Sequence, residues 1–515
     1  MTTCLRCTPA TATARQPAVL AQPHQVGARP ALAACRQAAK DTRPSAAPRL
    51  PRRCFVIKAT AAPEAPSSTP KTSSGLHDVV IVGAVRTPMC KAKAGALRDA
   101  PLDDLVVTVL KDLLRTTGVD PKEIGDVCFG SGLGPSSKRA NEVRTALLLA
   151  GFPSSVPAYT VNRQCAAGLQ SIADMAASIA AGYLDIGIAG GVESMSHSPM
   201  VWEGSENPRL EENPEAKDCL LPMGITSDNV ASRYNVPRDL QDRLASESHA
   251  KAKKAQDSGI FAEEIAPVQT IQLDDNGQAH PVVIDRDDGI RPDFTFEKLS
   301  KLRGCFQRGG STTVGNACQT TDGAAAVMLM RREEAERRGL KPLAALKSFA
   351  AVGVPPSVMG IGPAVAIPKA LERAGLSKED ISVFEINEAF ASQFAYCLRE
   401  LDLPEEKVNP NGGAMALGHP IGATGARLTV TLLHELARRA ANGKPQDKYG
   451  VVSMCVGSGM GAAAVFEAEP QGSEVAKAKT VDRRIVAPAP RRRRRAACAP
   501  AKGLNESLQG ISALA

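Results

Sequence analysis

Aromatic side chains are scarce in this chain. They make up 3% of 515 residues, with a single Trp. Stacking platforms for nucleobases are built from such rings, so their scarcity speaks against a single-strand nucleic-acid binder. Long apolar runs are also missing: none approaches the roughly 18–20 residues of a membrane-spanning helix. Outside the two ends, the cysteines never fall in C-x-x-C pairs. That excludes a zinc ribbon, argues against a secreted disulfide framework and fits a reducing compartment. Acidic residues are nearly absent from residues 1–76, where Asp41 and Glu64 stand alone. The net charge of +8 therefore gathers largely at the ends and does not make the middle a basic surface.

Residues 1–76 are rich in Ala, Pro, Thr, Ser and Arg and have little hydrophobic periodicity. They are expected to be a disordered, basic targeting leader of the organelle-presequence type, without the apolar core of a secretory signal. The stretch Arg15-Gln16-x-x-Val19-Leu20-x-Gln22-Pro23 resembles a degenerate peroxisomal N-terminal signal, departing from it at Pro23. Residues 468–515 form a second low-complexity segment with five consecutive arginines, Arg491 to Arg495, read as a solvated basic tail.

What lies between alternates short Val/Ile runs with helical periods. The run at 78–85 is a buried strand. Leu102, Leu105, Val106, Val109, Leu110, Leu113 and Leu114 mark a helix stopped by Gly118. Strands follow at 126–130, 159–162 and 185–191, with a helix at 169–181 between the last two. This alternation predicts an α/β fold with largely parallel pairing. Residues 195–312 are polar and loop-rich, with a helix near 239–258 and a hairpin turning at Asp275-Asn276-Gly277. They read as an insertion covering one face of the α/β body. After Gly323 the pattern repeats. GVDPKEIGDV (118–127) and GLSKEDISVF (375–384) share a helix stop, a charged turn and an Ile-x-x-Val-like strand entry. Two copies of one α/β unit are therefore expected: residues 77–335 with the insertion, and residues 340–467.

Four stretches carry chemistry. In VNRQCAAGLQ, Cys165 stands where a strand hands over to a helix. A thiol there meets free backbone N–H groups and the positive end of the helix dipole, both of which favour the thiolate nucleophile. The alternative is a buried structural thiol, since free cysteine is among the most buried residue types. In VFEINEAFASQF, Asn387 suits either a helix N-cap or an amide that fixes a catalytic water. In NGGAMALGHPIGATGAR, His419 lies in a glycine-dense loop that lets backbone approach closely, a cradle a core histidine rarely needs. In VVSMCVGSGMGAA, a second thiol, Cys455, precedes the Gly457-Ser458-Gly459 turn. Two such thiols, a cradled histidine and exposed N–H groups are the parts of covalent acyl chemistry.

Those four stretches, in this order, resemble the signature blocks of the thiolases, and the similarity runs from about residue 78 to 467. MGITSDNVA, DDGIRP and MGIGPAVAIPKAL look most like the peroxisomal, broad-chain degradative members. Acetoacetyl-CoA-specific relatives tend to have a histidine where Pro222 stands. The resemblance implies a five-layered αβαβα fold of two similar halves plus an inserted loop domain, usually a homodimer. It implies an acyltransferase cleaving 3-ketoacyl-CoA with CoA in fatty-acid β-oxidation. CoA and acyl-CoA are substrates, with no cofactor, metal or nucleic acid required. By position, Cys165 matches the acylated nucleophile, His419 its base, Cys455 the acid/base at the substrate α-carbon and Asn387 the holder of an oxyanion water. The N–H groups of Cys165 and Gly457 match a second oxyanion hole, and Arg291 a CoA-contacting arginine. Cys318 stands where a serine commonly touches the pantetheine arm, and Val314 is bulkier than the usual alanine. Cys219, in the covering segment DCLLPMG, is a candidate redox partner for Cys165. Rival readings are the same fold condensing two acetyl-CoA and, remotely, a non-catalytic acyl-CoA or lipid carrier. The compartment expected is the peroxisome, with chloroplast or mitochondrion left open by the leader.

Overall fold

The computed structural model describes residue 75 and residues 78–134, 136–200 and 207–469. The targeting leader, its nonapeptide-like stretch and the arginine run lie outside the described residues.

The first half runs β1 (Val79–Arg86), β2 (Cys90–Lys91), α1 (Leu102–Thr117), β3 (Asp126–Gly130), α2 (Ser136–Leu149), β4 (Ala158–Val161), α3 (Ala167–Ala180) and β5 (Ile186–Ser194). The insertion contributes α4 (Pro214–Asp218), α5 (Met223–Arg233), α6 (Arg238–Asp257), the hairpin β6 (Val268–Leu273) and β7 (Ala279–Ile284), and α7 (Phe296–Leu299). The chain returns in β8 (Thr321–Arg331) and α8 (Arg332–Arg337). The second half runs β9 (Ala344–Gly353), α9 (Gly362–Ala374), β10 (Val383–Ile386), α10 (Ala391–Glu400), α11 (Ala414–Leu417), α12 (Thr424–Ala441), β11 (Tyr449–Val456) and β12 (Met460–Ala468). Among the described residues no helix is long and apolar enough to cross a membrane.

The main strands join one mixed sheet in the order β10-β11-β12-β9-β1-β8-β5-β3-β4, with β2 on β8. The halves meet at a narrow seam, Val80 opposite Ala345 and Ile81 opposite Ala344. Pairing is parallel only for β4–β3, β3–β5 and β10–β11. The expectation of largely parallel pairing is therefore corrected. The insertion returns β8 against the direction of β5, and β12 doubles back on β11 through the tight turn after Val456.

The repeat is topological. Counted from the seam, β1-β8-β5-β3-β4 matches β9-β12-β11-β10, and Val408, bridged in parallel to Phe384, stands where β4 would be. Side chains alternate across each strand. Val327 and Leu329 face a shared interior with Met454, Ala464 and the helices α3 and α12. Ala326, Met328 and Met330 face α1 and α2. On the other half, Phe384, Ile386, Val451 and Val465 face α9 and α10. Helices, half-sheet, paired helices, half-sheet and helices thus make the five layers. α3 and α12 cross where glycines let them touch. A Cβ on Gly168 would lie 2.9 Å from the Ala426 nitrogen, and one on Gly425 would lie 2.4 Å from the Leu169 nitrogen. That crossing brings the starts of both central helices to one place.

Candidate active site

β4 delivers the chain to a 3-10 turn, Gln164–Ala166, that runs straight into α3. Asn162 Oδ1 accepts the Gln164 N–H at 2.8 Å, and Gln164 sits in the left-handed region with φ +47. A non-glycine residue there costs on the order of 1–3 kcal/mol unless its surroundings hold it. Gln164 is held from across the site, its Nε2 donating to Ser458 Oγ at 3.0 Å, and Ser458 is itself at φ +62. Between them Cys165 is 2% exposed. Burial pushes its thiol up to about 11; the N–H groups of Gly457 and of Cys165 itself pull the other way and lose. The expectation that the helix start favours the thiolate is corrected: desolvation outweighs it, so the resting sulfur keeps its proton and needs a base.

His419 arrives through backbone that only glycine allows. Gly418 has φ +98, and a Cβ on it would lie 2.1 Å from Thr321 Oγ1. The His419 N–H donates to Gln319 O at 3.0 Å and to Thr321 Oγ1 at 3.1 Å. Nδ1 lies 2.6 Å from Thr424 Oγ1 in the first turn of α12. Asn387 Nδ2 is 3.4 and 3.5 Å from the two ring nitrogens, so the amide lies across the ring. With Nδ1–H donated to Thr424, Nε2 is left as a base. Burial, then the Arg427 charge, push the imidazole down to about 3. The ring is thus neutral at physiological pH and able to accept a proton.

Asn387 does not cap a helix; α10 begins at Ala391, with Phe390 in the cap position. The side-chain oxygen of Asn387 is buried without a protein partner among the described residues, as an acceptor for water would be. Its neighbour Glu388 binds the histidine loop together, taking Ser248 Oγ at 2.6 Å, Asn409 Nδ2 at 2.8 Å and the Met415 N–H at 3.2 Å.

Cys455 is the last residue but one of β11, buried, its thiol held far up by burial and then by the neighbouring Cys165. It stays protonated, as a proton donor should. Gly457 closes the arrangement. A Cβ there would lie 1.8 Å from Gln164 Oε1, so any larger residue would have to displace the Gln164 amide, and the Gly457 N–H reaches the sulfur of Cys165. The Cys165 turn packs on β11 and on the 3-10 turn Ile421–Ala423 just past His419.

The remaining sequence candidates are less central. Cys318 is beside the site: its N–H donates to Ala389 O at 3.0 Å, and burial followed by Cys165 pushes its thiol up to about 12. Cys219 is half-buried, its Sγ 3.8 Å from Ser458 O on the Gly457–Gly459 turn. Arg291 belongs to the insertion. Its N–H donates to His249 Nδ1 at 3.0 Å and its guanidinium lies over Phe294, while Ile290 packs near Leu417 at the foot of the histidine loop. Sequence reasoning missed Thr424, Arg427 and the role of Glu388. Thr424 had one visible signal, its place at the first turn of the helix after GHPIGA. Among the described residues no group of three His, Cys, Asp or Glu side chains is arranged to hold a metal ion.

Two family models match the chain: the thiolase N-terminal domain over residues 79–333 and the thiolase C-terminal domain over residues 340–468. A curated Arabidopsis thaliana protein, peroxisomal 3-ketoacyl-CoA thiolase 2, is 52% identical over 413 residues, covering 80% of this chain and 88% of the relative. The human peroxisomal 3-ketoacyl-CoA thiolase is 51% identical over 401 residues, 78% of this chain and 93% of the relative. Among solved structures, the dimeric peroxisomal thiolase of Saccharomyces cerevisiae matches with a TM-score of 0.68 at 44% identity, over 77% of this chain and 99% of that one.

Proposed function

The chain belongs to the thiolase family, and on that premise we propose how its site works and what it acts on. It is a 3-ketoacyl-CoA thiolase, an acyltransferase of fatty-acid degradation, and its compartment is the peroxisome, as printed for its curated relatives. The observation that carries the mechanism is the convergence of Cys165, the Gly457 N–H and Cys455 with a neutral His419 braced by Asn387.

His419 takes the Cys165 proton as the sulfur attacks the 3-keto carbon. The tetrahedral oxyanion that forms is met by backbone or water-borne donors. Collapse breaks the Cα–Cβ bond and leaves the Cys165 thioester plus the enolate of acetyl-CoA. Cys455 protonates the α-carbon. The histidinium returns its proton to the Cys455 thiolate. A CoA thiol then gives its proton to the freed histidine and takes the acyl group, and the histidine passes that proton to the departing Cys165 sulfur as the shortened acyl-CoA is released. Two oxygens gain charge at different moments. The N–H pair of Cys165 and Gly457 serves one and a water on Asn387 serves the other. Each such donor is worth about 2.7–4 kcal/mol of barrier. The steps use side-chain and backbone groups and one water, with CoA as a substrate. Arg291 is proposed to contact CoA and Cys318 its pantetheine arm, and Cys219 to undergo reversible oxidation with Cys165.

Assembly as a homodimer is supported by β4. Among the described residues this edge strand pairs with β3 alone, leaving its other edge for a second copy.

Thiolysis of 3-ketoacyl-CoA substrates of graded chain length, with Cys165→Ala as blank, tests the reading. Turnover rising beyond acetoacetyl-CoA supports it; turnover confined to acetoacetyl-CoA, or persisting in the blank, removes it.

A further inference from the structure

The second half buries an arginine beside a glutamate at positions whose counterparts in the first half are uncharged. Arg427 on α12 and Glu385 on β10 are both fully buried, with Nη1 and Oε2 4.0 Å apart, beyond hydrogen-bond reach. Neither Nε nor either Nη of Arg427 has a protein partner among the described residues, and neither does either oxygen of Glu385. Counting from the crossing glycines, the Arg427 position in α3 is Gln170, half-buried and bonded to Arg163 and Asp174. Counting from Ile124 and Ile381, the Glu385 position in β3 is Cys128, a buried thiol. The fold itself therefore does not demand these residues here, and burying a guanidinium away from a hydrogen-bonded partner is costly.

Their placement suggests what the charges are for. Glu385 is two residues before Asn387 on the same strand end. Arg427 is one turn along α12 from Thr424. Asn387 and Thr424 are the side chains within hydrogen-bond range of the His419 ring nitrogens among the described residues. We propose that Arg427, with Glu385 beside it, is a positioning residue for His419: the buried guanidinium sits one turn of α12 from the Thr424 hydroxyl that meets the ring and sets a positive charge behind it. The proposal rests on the thiolase reading of the site.

Other charges around the pair are arranged so as not to cancel it. Arg427 is also faced by Arg86 from β1, Glu264 from the turn after α6 and Glu388 from the loop before α10. Glu264 and Asp287 are already taken up by Arg86, at 2.7 Å each. Glu385 is faced by Arg427, Glu264, Glu435 and Glu388, and burial pushes its carboxyl up to about 8. Near neutral pH it leaves the arginine charge largely uncompensated, and His419 feels that charge.

The test is the rate of iodoacetamide alkylation at the Cys165 peptide, read by mass spectrometry across pH with no acyl-CoA present. Wild type should hold its rate well into acid. Arg427→Gln, which installs the side chain of the other half, and Glu385→Gln/Arg427→Met, which leaves no lone buried charge, should move the acid limb up by about one pH unit. Arg427→Lys should restore it. Glu385→Gln alone keeps the positive charge and should not move the limb up. Superimposable profiles for wild type and the charge-removing variants would overturn the proposal, as would an upward shift in Glu385→Gln. Because alkylation needs no substrate, a wild type that shows the shift but no thiolysis would remove the functional reading and spare the pair.

Discussion

The two halves repeat one scaffold and do different chemistry with it. In each, a central helix starts beside the crossing of Gly168 and Gly425, and a strand ends nearby. In the first half the helix start holds Cys165, the proposed nucleophile, and the strand end holds Glu193. That carboxylate takes the N–H groups of Gly132 and Gly422 at 2.7 and 3.0 Å and so ties one half to the other. In the second half the roles are exchanged. The helix start holds Thr424 and the histidine loop, and the strand end holds the reactive thiol, Cys455. The repeat supplies two helix starts aimed at one point, and in the proposed mechanism one half takes the covalent step while the other takes the proton transfers.

That division is broken most completely at the two thiols. Cys165→Ala should lose thiolysis by on the order of 10⁴-fold or more, since no covalent intermediate forms. Cys455→Ala should lose about 10²–10⁴-fold, the range of a single acid–base group, and should still be alkylated at Cys165. Mass spectrometry of the trapped Cys165 peptide separates the two; an unlabelled Cys455→Ala enzyme would mean the halves do not divide the work this way. Next comes Asn387→Ala, where kcat should fall about 10²–10³-fold from the loss of one oxyanion site with the KM for CoA little changed. A large KM effect with kcat preserved would make Asn387 a binding residue.

How much of this could be read from the chain depends on how local each signal is. α1 is bounded by its own residues: a period of leucines and valines and a stop at Gly118, which adopts φ +69. β3 and β10 are likewise short apolar runs with glycine or charged turns before them, and their shared entry betrays the repeat. The direction of β8 was not legible, because it is set by how the insertion folds back and not by β8 itself. α5 was missed for a related reason: the residues it buries include Gly224, Thr226, Ser227 and Asp228, which look like surface until Ser392 and Thr312 are seen bonded to Ser227. In the site, a cysteine or a glycine-cradled histidine stands out by residue type. Arg427 and Glu388 do not, since a charged residue on a helix or beside one reads as solvated. The dipole argument for Cys165 failed because a sequence displays the helix start but not the burial that opposes it.

The crossing itself can be strained from either side. Gly168→Ala and Gly425→Ala each push a methyl group into backbone of the facing helix, 2.9 Å or less from a nitrogen. Each should cost about 1–3 kcal/mol in chemical unfolding, and because both act at one contact the double variant should cost less than the sum. Full additivity would show that the two helices adjust independently.

The smallest effect separates the halves by acid. His419 is pushed down to about 3 from an ordinary 6.5, by burial first and Arg427 second. Below pH 6.5 the unfolded chain binds a proton there and the folded chain does not, so this group's contribution to stability is full above 6.5 and is lost progressively as pH falls toward about 3. Glu385 acts with the opposite sign. Its carboxyl, raised to about 8 from 4.5, binds its proton first in the folded state and adds stability as pH falls through that window. A raw stability–pH curve therefore mixes the two, and the difference between wild type and His419→Gln isolates the histidine. Denaturant midpoints measured from neutral pH downward should fall less steeply in His419→Gln than in wild type, while Cys165→Ala, at the other helix start, should leave the wild-type slope unchanged. Equal slopes for wild type and His419→Gln would mean that the ring titrates in the folded enzyme as it does in the unfolded chain, and the depression of His419 by burial and Arg427 would be refuted.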